Sequence, residues 1–462
     1  MMDRPAVLEL LVRFLGEAWE SFDRPRPREP RPPEDLRARL STPLPTEPGD
    51  VLHALADAAR ALDASVSPSR PLYVAYIGST GLEAGVLGSA LAAAYDVNAA
   101  SSGGTVDLLE RQAVQWVAEF VGYPLGEGVF TSGGMVSNLT ALLAAREHAL
   151  PGSRTTGIGG RRGAVYCSQE AHHSVVRAVE VVGLGSDAIR RLPLDDRRRL
   201  RPEALEQALA ADRAAGVTPV AVVATSGTTL TGAVDPLDAI ADVCARHGVW
   251  MHVDGAYGAP AAAAPSTAAL FVGLDRADSV TVDAHKWLGM QKSCSVVLLR
   301  TRGALAAAFR HEEAYLLHEA DAANPVDRTL EYSRPIRSLK LWLAFRTYGA
   351  DAFRAWIERT LGHARALADA VDAEPSLQLL HRPTLSTVNF RHRPPGTADL
   401  AAHNLRLARA IQEDGRVYLA PAAVDGRVCL RVCFMNFRTT AEDVAEILAV
   451  VRELGHRLAA AR

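Results

Sequence analysis

The chain has 462 residues, of which 48% are hydrophobic and 22% are charged, and its formal net charge at pH 7 is −3. This balance excludes the disordered, collagen-like and coiled-coil classes, and a nearly neutral chain has no field that would gather nucleic acid or an anionic membrane surface. The length predicts about two to four folding units, or one large α/β unit with additions.

The N-terminal region predicts a helix followed by an extended connector. Charged residues at every fourth position interrupt the apolar core that a signal peptide needs, whereas Leu8, Leu11 and Leu15 lie on one helical stripe. Residues 21–50 are the densest proline stretch, and such a mixture of Pro, Arg and Glu cannot bury enough apolar surface to fold alone. We expect an extended connector there; a proline-rich ligand for a recognition domain is the alternative. No uncharged run reaches the ~20 residues that a membrane span requires.

The cysteines indicate a reducing compartment. They are odd in number, scattered, and without the CxxC spacing of a zinc site. We therefore expect a cytoplasmic enzyme with a small-molecule substrate, without a metal site and without a nucleic-acid or membrane partner. The residues concerned are Cys167, Cys244, Cys294, Cys429 and Cys433.

From about Gly126 onward, short apolar runs alternate with helical patterns. Strands are predicted at 128–131, 164–168, 217–225, 249–254, 279–283 and 293–300. Helices are predicted between them, for example at 138–149, 202–215 and 237–247. Continuously apolar strands that alternate with helices are typical of a large, mostly parallel α/β sheet covered on both faces.

Beyond about Ala350 the pattern changes to that of a smaller α+β domain. Helices are predicted at 351–371, 399–413 and 440–459, and strands at 386–392, 416–420 and 427–434. The last two strands form a predicted hairpin with a loop at 421–426. We expect three regions: an N-terminal helix and connector at 1–66, a large domain at 67–349 and a small C-terminal domain at 350–462.

Two segments at predicted strand ends can bind polar groups. Gly133 and Gly134, just before a helix, let backbone amides and the helix dipole close on a phosphate, although a plain turn is the alternative. Asp254 ends a buried strand, where ligands of open α/β sheets bind. It can hold a metal, a ribose hydroxyl or a protonated ring nitrogen, or it can cap the following turn.

Two further segments add a lysine and a histidine pair. Lys286 follows the run at 279–282, and a lysine used for imine chemistry must be partly desolvated; a solvated lysine is the alternative. His172 and His173 are adjacent, so at most one of them faces a site, and a surface pair is the alternative. Because all four segments follow strands of one sheet, together they supply what pyridoxal 5′-phosphate needs: a phosphate cradle, a stacking ring, a carboxylate and an amine.

Six motifs resemble, in order and spacing, those of the group II pyridoxal-phosphate-dependent amino-acid decarboxylases: TSGGMVSNLTAL, SQEAHHSVVRA, VVATSGTT, HVDGAYG, DAHKWL and RSLKLW. That family includes aromatic-amino-acid, histidine, glutamate and diaminobutyrate decarboxylases. The resemblance runs from about Ser67 to near Thr440. It implies a fold type I large domain, a smaller α+β domain, and a homodimer with active sites at the subunit interface.

The resemblance implies a role for each matching residue. Lys286 would hold pyridoxal phosphate as a Schiff base, Asp254 would keep the pyridine nitrogen protonated, and His172 would stack on the ring. Ala256 would pack on the opposite ring face, and Thr225 would lie near the ring substituents. The residues implied near the phosphate are Gly133, Gly134, Met135, Ser279 and His285. The activity implied is decarboxylation of an L-amino acid to its amine and CO2.

Two stretches depart from the family's pattern. Met135 and Val136 replace a Ser or Thr followed by Glu or Ala, so one hydroxyl contact to the phosphate is missing. The stretch 315–337 matches the mobile catalytic loop, but its middle lacks the tyrosine with which aromatic-amino-acid decarboxylases protonate the carbanion. Tyr332 and His318 are the candidates to replace it. If neither does, the product is an aldehyde or that of another carbanion reaction; an inactive binding protein is the third alternative.

The substrate stays open. Tyr76, Ile77 and Asn98 are the candidates for contact with its side chain, because the family's pocket is lined partly by the segment that matches 71–79. Ser67-Pro68-Ser69 stands where aromatic-amino-acid decarboxylases carry a tryptophan. No basic cluster in this part indicates a second substrate carboxylate.

Overall fold

The computed structural model describes residues 3–23, 27, 32–78, 80–100, 104–311 and 325–460. The chain divides into two compact units. One unit comprises Met1–Ile77, Gly362–Arg382 and Ser386–Arg462, and the other comprises Gly78–Leu361 with Pro383–Leu385. The domain boundaries expected near residues 66 and 349 stay a prediction.

The helices and strands follow the alternation in the sequence. The α-helices are α1 Arg4–Asp23, α2 Glu34–Arg39, α3 Val51–Asp63, α4 Glu83–Tyr95, α5 Thr105–Val121, α6 Gly134–Ala149, α7 Ser153–Thr156, α8 His173–Val181, α9 Pro202–Ala214, α10 Leu237–His247, α11 Ala304–Phe309, α12 Ser338–Ala373, α13 Leu400–Asp414 and α14 Ala441–Ala460. The strands are β1 Glu127–Thr131, β2 Gly163–Ser168, β3 Ile189–Leu192, β4 Thr218–Thr225, β5 Trp250–Asp254, β6 Ser279–Val282, β7 Ser295–Leu299, β8 Leu377–Leu379, β9 Thr387–His392, β10 Ala420–Val424 and β11 Arg427–Cys433.

The larger unit is built on a mixed, mostly parallel sheet. Within the described residues the strand order is β1-β7-β6-β5-β4-β2-β3. β7 runs antiparallel to both of its neighbours, and the other strands run parallel to one another. β5 is buried along its whole length, as a strand covered on both faces must be. The predicted α/β fold is therefore confirmed.

Helix α6 lies in the core of this unit. Apolar residues of α6, such as Ala141 and Ala145, pack in one cluster with Val165 of β2 and with Val175 of α8. The helix begins directly after the turn that follows β1, and its buried residues include polar side chains as well as apolar ones. Its N-terminus and its polar face therefore belong to the carboxyl edge of the sheet.

The smaller unit contains an antiparallel sheet with the order β10-β11-β9-β8, among the residues described. Its core joins these strands to α13 and α14, with Phe390, Leu407, Leu430 and Ile447 fully buried in one cluster. The predicted hairpin is present, but its first strand lies at Ala420–Val424 instead of 416–420, so four of its five residues fall in the predicted loop. Asp425 and Gly426 both have positive φ, 50° and 70°, so they form a two-residue turn and leave 421–424 free to pair.

The N-terminal segment also departs from its prediction. Helix α2 lies inside the stretch 21–50, which we expected to be extended throughout. Acidic Glu34 and Asp35 in its first turn and Arg37 and Arg39 in its last turn complement the helix dipole. None of the described helices combines the length and the apolar run needed to cross a membrane.

Candidate active site

The carboxyl ends of the parallel strands surround a cavity of about 400 Å³. Such ends meet at one edge of a sheet, which is where α/β proteins bind ligands. Nine of the ten residues expected to bind the cofactor line this cavity. They are Gly133, Gly134, Met135, His172, Thr225, Asp254, Ala256, His285 and Lys286.

The glycine turn before α6 brings backbone to the cavity wall. A Cβ atom on Gly134 would lie 2.8 Å from Oδ2 of Asp283 and 3.2 Å from the Cβ of Ala256, so a side chain does not fit there. A Cβ on Gly133 would meet only Cε1 of His285, at 3.8 Å. The first amides of a helix have no acceptor within the helix, and the dipole favours an anion. The turn therefore fits a phosphate group.

The amine of Lys286 lies beside a buried carboxylate. Its Nζ is 2.9 Å from Oδ2 of Asp283, and Asp283 is only 2% exposed. Oδ1 of Asp283 has no hydrogen-bond partner among the described residues. An unsatisfied buried acceptor is costly, so a donor from a bound molecule would be stabilising here. The pair can hold a proton on Nζ or pass it to the carboxylate.

Asp254 presents a second buried carboxylate to the cavity. Its Oδ2 accepts a hydrogen bond from Nδ2 of Asn138 at 3.0 Å, and its Oδ1 accepts one from the backbone N–H of Ala256 at 3.2 Å. A carboxylate has about four lone-pair sites, so it can still accept a hydrogen bond from a ring N–H. The two protein donors hold the carboxylate in one orientation.

Two histidines face the same cavity. His172 caps α8, and its Nδ1 accepts a hydrogen bond from the backbone N–H of Ser174 at 3.2 Å. Desolvation lowers the pKa of His172, and the nearby charge of Asp254 opposes this in part. Nδ1 of His285 lies 2.8 Å from the carbonyl oxygen of Cys294, and burial lowers the pKa of His285. Both rings are therefore favoured in the neutral form near pH 7.

The expectation for Ser279 needs correction. Ser279 begins β6, so it lies at the amino end of a strand whose carboxyl end faces the cavity. It is fully buried and accepts a hydrogen bond from Nε1 of Trp250 at 2.9 Å. A residue at the wrong end of a strand is separated from the site by the length of that strand, so Ser279 does not contact the cavity directly.

Two other candidates in the larger unit, Tyr332 and Asn98, are not among the described residues that line the cavity. Tyr332 is 50% exposed and does not contribute to the lining. Asn98 instead holds a neighbouring segment, because its Oδ1 accepts the backbone N–H of Arg334 at 3.1 Å. Tyr76 and Ile77 belong to the other unit, and their contact with substrate stays a prediction. The residue at position 318 lies outside the described part of the chain.

Asn138 and Asp283 are two polar residues of the cavity to which the sequence analysis assigned no role. Both line the cavity, and each contacts a residue that was singled out. Asp283 stands in the DAHKW segment, three residues before Lys286, and this short spacing was the available signal. Asn138 lies one helical turn after Gly134, so its place on the first turn of a helix aimed at the site was a weaker signal.

A glycine turn at a helix N-terminus, a partly desolvated lysine and a buried carboxylate at one sheet edge are typical of the pyridoxal-phosphate-dependent class of enzymes. The family model described as "Pyridoxal-dependent decarboxylase conserved domain" matches residues 33–393. The chain therefore belongs to the pyridoxal-dependent decarboxylase family.

Known relatives and solved structures support the same family assignment. The chain is 31% identical over 440 residues to an aromatic-L-amino-acid decarboxylase of Bacillus atrophaeus, an alignment that covers 92% of this chain and 89% of the relative. It is 37% identical over 359 residues to an L-2,4-diaminobutyrate decarboxylase of Rhizobium meliloti, covering 76% and 70%. The crystal structure of Oryza sativa TDC with PLP and tryptamine superimposes with a TM-score of 0.92 at 26% identity, covering 99% and 98%. The protein is thus a lyase that uses pyridoxal phosphate to decarboxylate an amino acid.

Proposed function

We propose that this enzyme converts an L-amino acid to the corresponding amine and CO2, with Lys286 as the lysine that carries pyridoxal phosphate covalently. The supporting observation is that the amine of Lys286, the carboxylate of Asp254 and the glycine turn at Gly133 and Gly134 line one cavity. When bound, the cofactor supplies an electron-accepting ring that stabilises negative charge on the α-carbon of the substrate.

Each side chain of the cavity then has a defined task. With the cofactor bound, the Asp254 carboxylate would accept the ring N–H, and the neutral imidazole of His172 and the side chain of Ala256 would hold the ring between them. The backbone amides after Gly133 would bind the phosphate. Because the Nζ of Lys286 must lose a proton before it reacts, the Asp283 carboxylate at 2.9 Å is the base that is placed to accept it.

A labelling experiment tests the assignment of Lys286. The sequence contains lysine only at 286, 292 and 340, so borohydride reduction followed by peptide mapping gives an unambiguous position. We expect the cofactor mass on Lys286. Lys286→Arg is the matched variant, since it keeps a cation beside Asp283 without a reactive amine; it should fold and carry no label. A label on Lys292, which also lines the cavity, would refute the assignment.

A product assay tests the reaction. The panel contains aromatic amino acids, 2,4-diaminobutyrate and cysteine sulfinate, because relatives named for these substrates match the chain. CO2, amine, aldehyde and peroxide are measured together. Amine without peroxide supports the proposal, and aldehyde with peroxide contradicts it in favour of oxidative deamination. A labelled enzyme that gives no product with any amino acid would indicate a cofactor-binding protein without turnover.

We propose Tyr332 as the proton donor that returns a proton to the α-carbon. The proposal is supported by the sequence match between the segment of Tyr332 and the family's catalytic loop. The side chain of Tyr332 is half exposed to solvent in the structure. The proposal therefore requires that Tyr332 approaches the substrate during turnover. Tyr332→Phe should shift the product ratio from amine toward aldehyde. An unchanged ratio with unchanged kcat removes Tyr332 from this role.

We also propose that the enzyme is a cytoplasmic homodimer with active sites at the subunit interface. Apolar side chains of α4 at one helical spacing support it, since Leu87, Leu91 and Tyr95 are exposed in the single chain. Sedimentation velocity tests the assembly. A fully active monomer would contradict the proposal. A Leu91→Glu variant that still forms the dimer and binds the cofactor fully would contradict it as well.

A further inference from the structure

A network of hydrogen bonds behind the cavity connects the carboxylate of Asp254 to the ring of His172. Asn138 donates from Nδ2 to Oδ2 of Asp254 at 3.0 Å and to Oγ of Ser174 at 2.9 Å. Its Oδ1 lies 3.0 Å from Nε2 of His252. Ser174 Oγ in turn lies 2.8 Å from Nδ1 of His172. One amide thus joins the Asp254 carboxylate to the ring at position 172.

The network continues away from the cavity. Nδ1 of His252 lies 2.8 Å from Oγ of Ser279, which accepts the indole N–H of Trp250 at 2.9 Å. Asn138, His252 and Ser279 are all buried, at 1%, 0% and 0% exposure. Solvent therefore cannot replace a partner that is lost.

The donor and acceptor properties of the side chains determine the direction of each hydrogen bond in the branch from Asp254 through Asn138 and His252 to Ser279. A charged carboxylate only accepts, so the amide nitrogen of Asn138 must face Asp254 and its oxygen must face His252. His252 must then carry its proton on Nε2. Burial lowers the pKa of His252 to about 4, so the ring is neutral near pH 7 and its Nδ1 is an acceptor. Ser279 donates its hydroxyl proton to that nitrogen and accepts from Trp250, which only donates.

The branch toward His172 is assigned in the same way. Ser174 Oγ accepts the second N–H of Asn138, so its own proton is available for Nδ1 of His172. That nitrogen also accepts the backbone N–H of Ser174. In its neutral form His172 therefore carries its proton on Nε2. Nδ1 of His172 thus shares its one lone pair between the hydroxyl and the backbone N–H of Ser174, and every other atom of the network has a single consistent role as donor or acceptor for each hydrogen.

We propose that Asn138 and His252 are positioning residues for the cofactor, which act together through this network. They hold Asp254 in one orientation as an acceptor for the ring N–H, and they fix His172 as the Nε2–H tautomer. The inference rests on the proposed function in one respect, namely that Asp254 and His172 face the bound ring. Neither positioning residue is required to touch the reacting atoms.

The variants separate this role from a merely structural one. Asn138→Leu removes both donors, and His252→Phe leaves Oδ1 of Asn138 without its donor. His252→Gln retains an amide that can donate to Asn138 and accept from Ser279. Thr140→Val is the matched control: Thr140 is equally buried in α6, but among the described residues its hydroxyl bonds only to the carbonyl of Val136 in the same helix.

Two readouts do not depend on turnover. The first is the affinity of each apoprotein for pyridoxal phosphate, and the second is the ¹⁵N resonance of ring-labelled pyridoxal phosphate bound to the protein. Loss of a hydrogen bond to a charged group should weaken the affinity about tenfold to a hundredfold in Asn138→Leu, and less in His252→Phe. The ring resonance should move toward that of a neutral pyridine. His252→Gln should restore both properties, and Thr140→Val should leave them unchanged.

The result that overturns the proposal is a folded Asn138→Leu or His252→Phe protein with wild-type affinity and wild-type ring resonance. If these variants fail to fold, a measurement on the wild-type protein still tests the proposal. Histidine ¹⁵N spectra of the apoprotein must show His252 and His172 as Nε2–H tautomers, and the opposite tautomer at either residue contradicts the network. Failure of the proposed function would look different, because the wild type itself would carry no label on Lys286.

Discussion

Two adjacent glycines in the turn before α6, Gly133 and Gly134, should differ in how strongly an alanine substitution destabilises the protein. In Gly134→Ala the new Cβ would lie 2.8 Å from Oδ2 of Asp283 and 3.2 Å from the Cβ of Ala256. In Gly133→Ala the nearest atom, Cε1 of His285, is at an ordinary contact distance of 3.8 Å. The φ of Gly133 is 171°, an extended conformation that alanine adopts without strain. Gly134 is the first residue of α6 and has no positive φ either, so packing rather than backbone strain decides the effect of alanine at both positions.

The expected size of the effect follows from these contacts. Overpacking of a well-packed interior costs about 1–3 kcal/mol, and the gain from replacing a glycine offsets at most about 1 kcal/mol of it. We expect Gly134→Ala to destabilise the protein by about 1–2 kcal/mol. That loss corresponds to a fall in Tm of about 2–4 °C for each kcal/mol in a domain of 150–250 residues. Gly133→Ala should stay within about 0.5 kcal/mol of the wild type.

Thermal unfolding of the apoproteins measures this difference without a contribution from cofactor binding. Relief of the clash requires the Asp283 carboxylate to turn away from Lys286, so Gly134→Ala should also weaken cofactor binding. Equal Tm values for the two alanine variants would refute the reasoning. A Tm of Gly134→Ala at or above that of the wild type would do so as well, because it would mean that the turn has room for a side chain.

Three further outcomes are expected. Glu110 and Arg334 form a buried ion pair at 2.9 Å, so Glu110→Ala should lower the unfolding free energy by about 3–5 kcal/mol, whereas the double leucine variant should recover much of that loss in denaturant titrations. Burial raises the pKa of Asp235 to about 6, so its stabilising contribution is complete below its unfolded pKa and is lost as the pH rises through about 6. Asp235→Asn should therefore show a smaller decrease of Tm between about pH 4 and pH 7 than the wild type, and an equal decrease would contradict this. All five cysteines are free and buried, so a chromogenic disulfide reagent should react slowly with the native protein and with five thiols after denaturation; rapid native reaction would contradict their burial.

The fold was predictable where an element carries a long, one-sided signal. The strands at the centre of the large sheet read as continuous apolar runs because helices cover both of their faces. The edge strand β3 was missed because it is four residues long and contains Arg190 and Arg191, which are charged. The first hairpin strand was displaced because Pro421 suggested a loop, whereas the turn residues Asp425 and Gly426 set the pairing register.

The position of the site was predictable because its residues stand at the carboxyl ends of predicted strands. Asp254 and Lys286 come from different strands, and only the rule that parallel carboxyl ends share an edge brings them together. The same rule accounts for Ser279, which the family resemblance placed near the phosphate but which stands at the amino end of β6. Asp283 was visible in the sequence, but its ion pair with Lys286 depends on the turn between them, which the sequence pattern does not specify.

The network behind the cavity shows what strand periodicity can and cannot reveal. Successive side chains of a strand alternate between faces, so Trp250, His252 and Asp254 must lie on one face of β5, in line from the amino edge to the carboxyl edge. The sequence therefore predicts that a polar His252 shares a face with the site carboxylate. It does not predict what joins them, because the pattern of one strand does not specify which side chain of a neighbouring element packs against it. That connection comes from Asn138 on α6, and its position depends on how the helix packs across the strand.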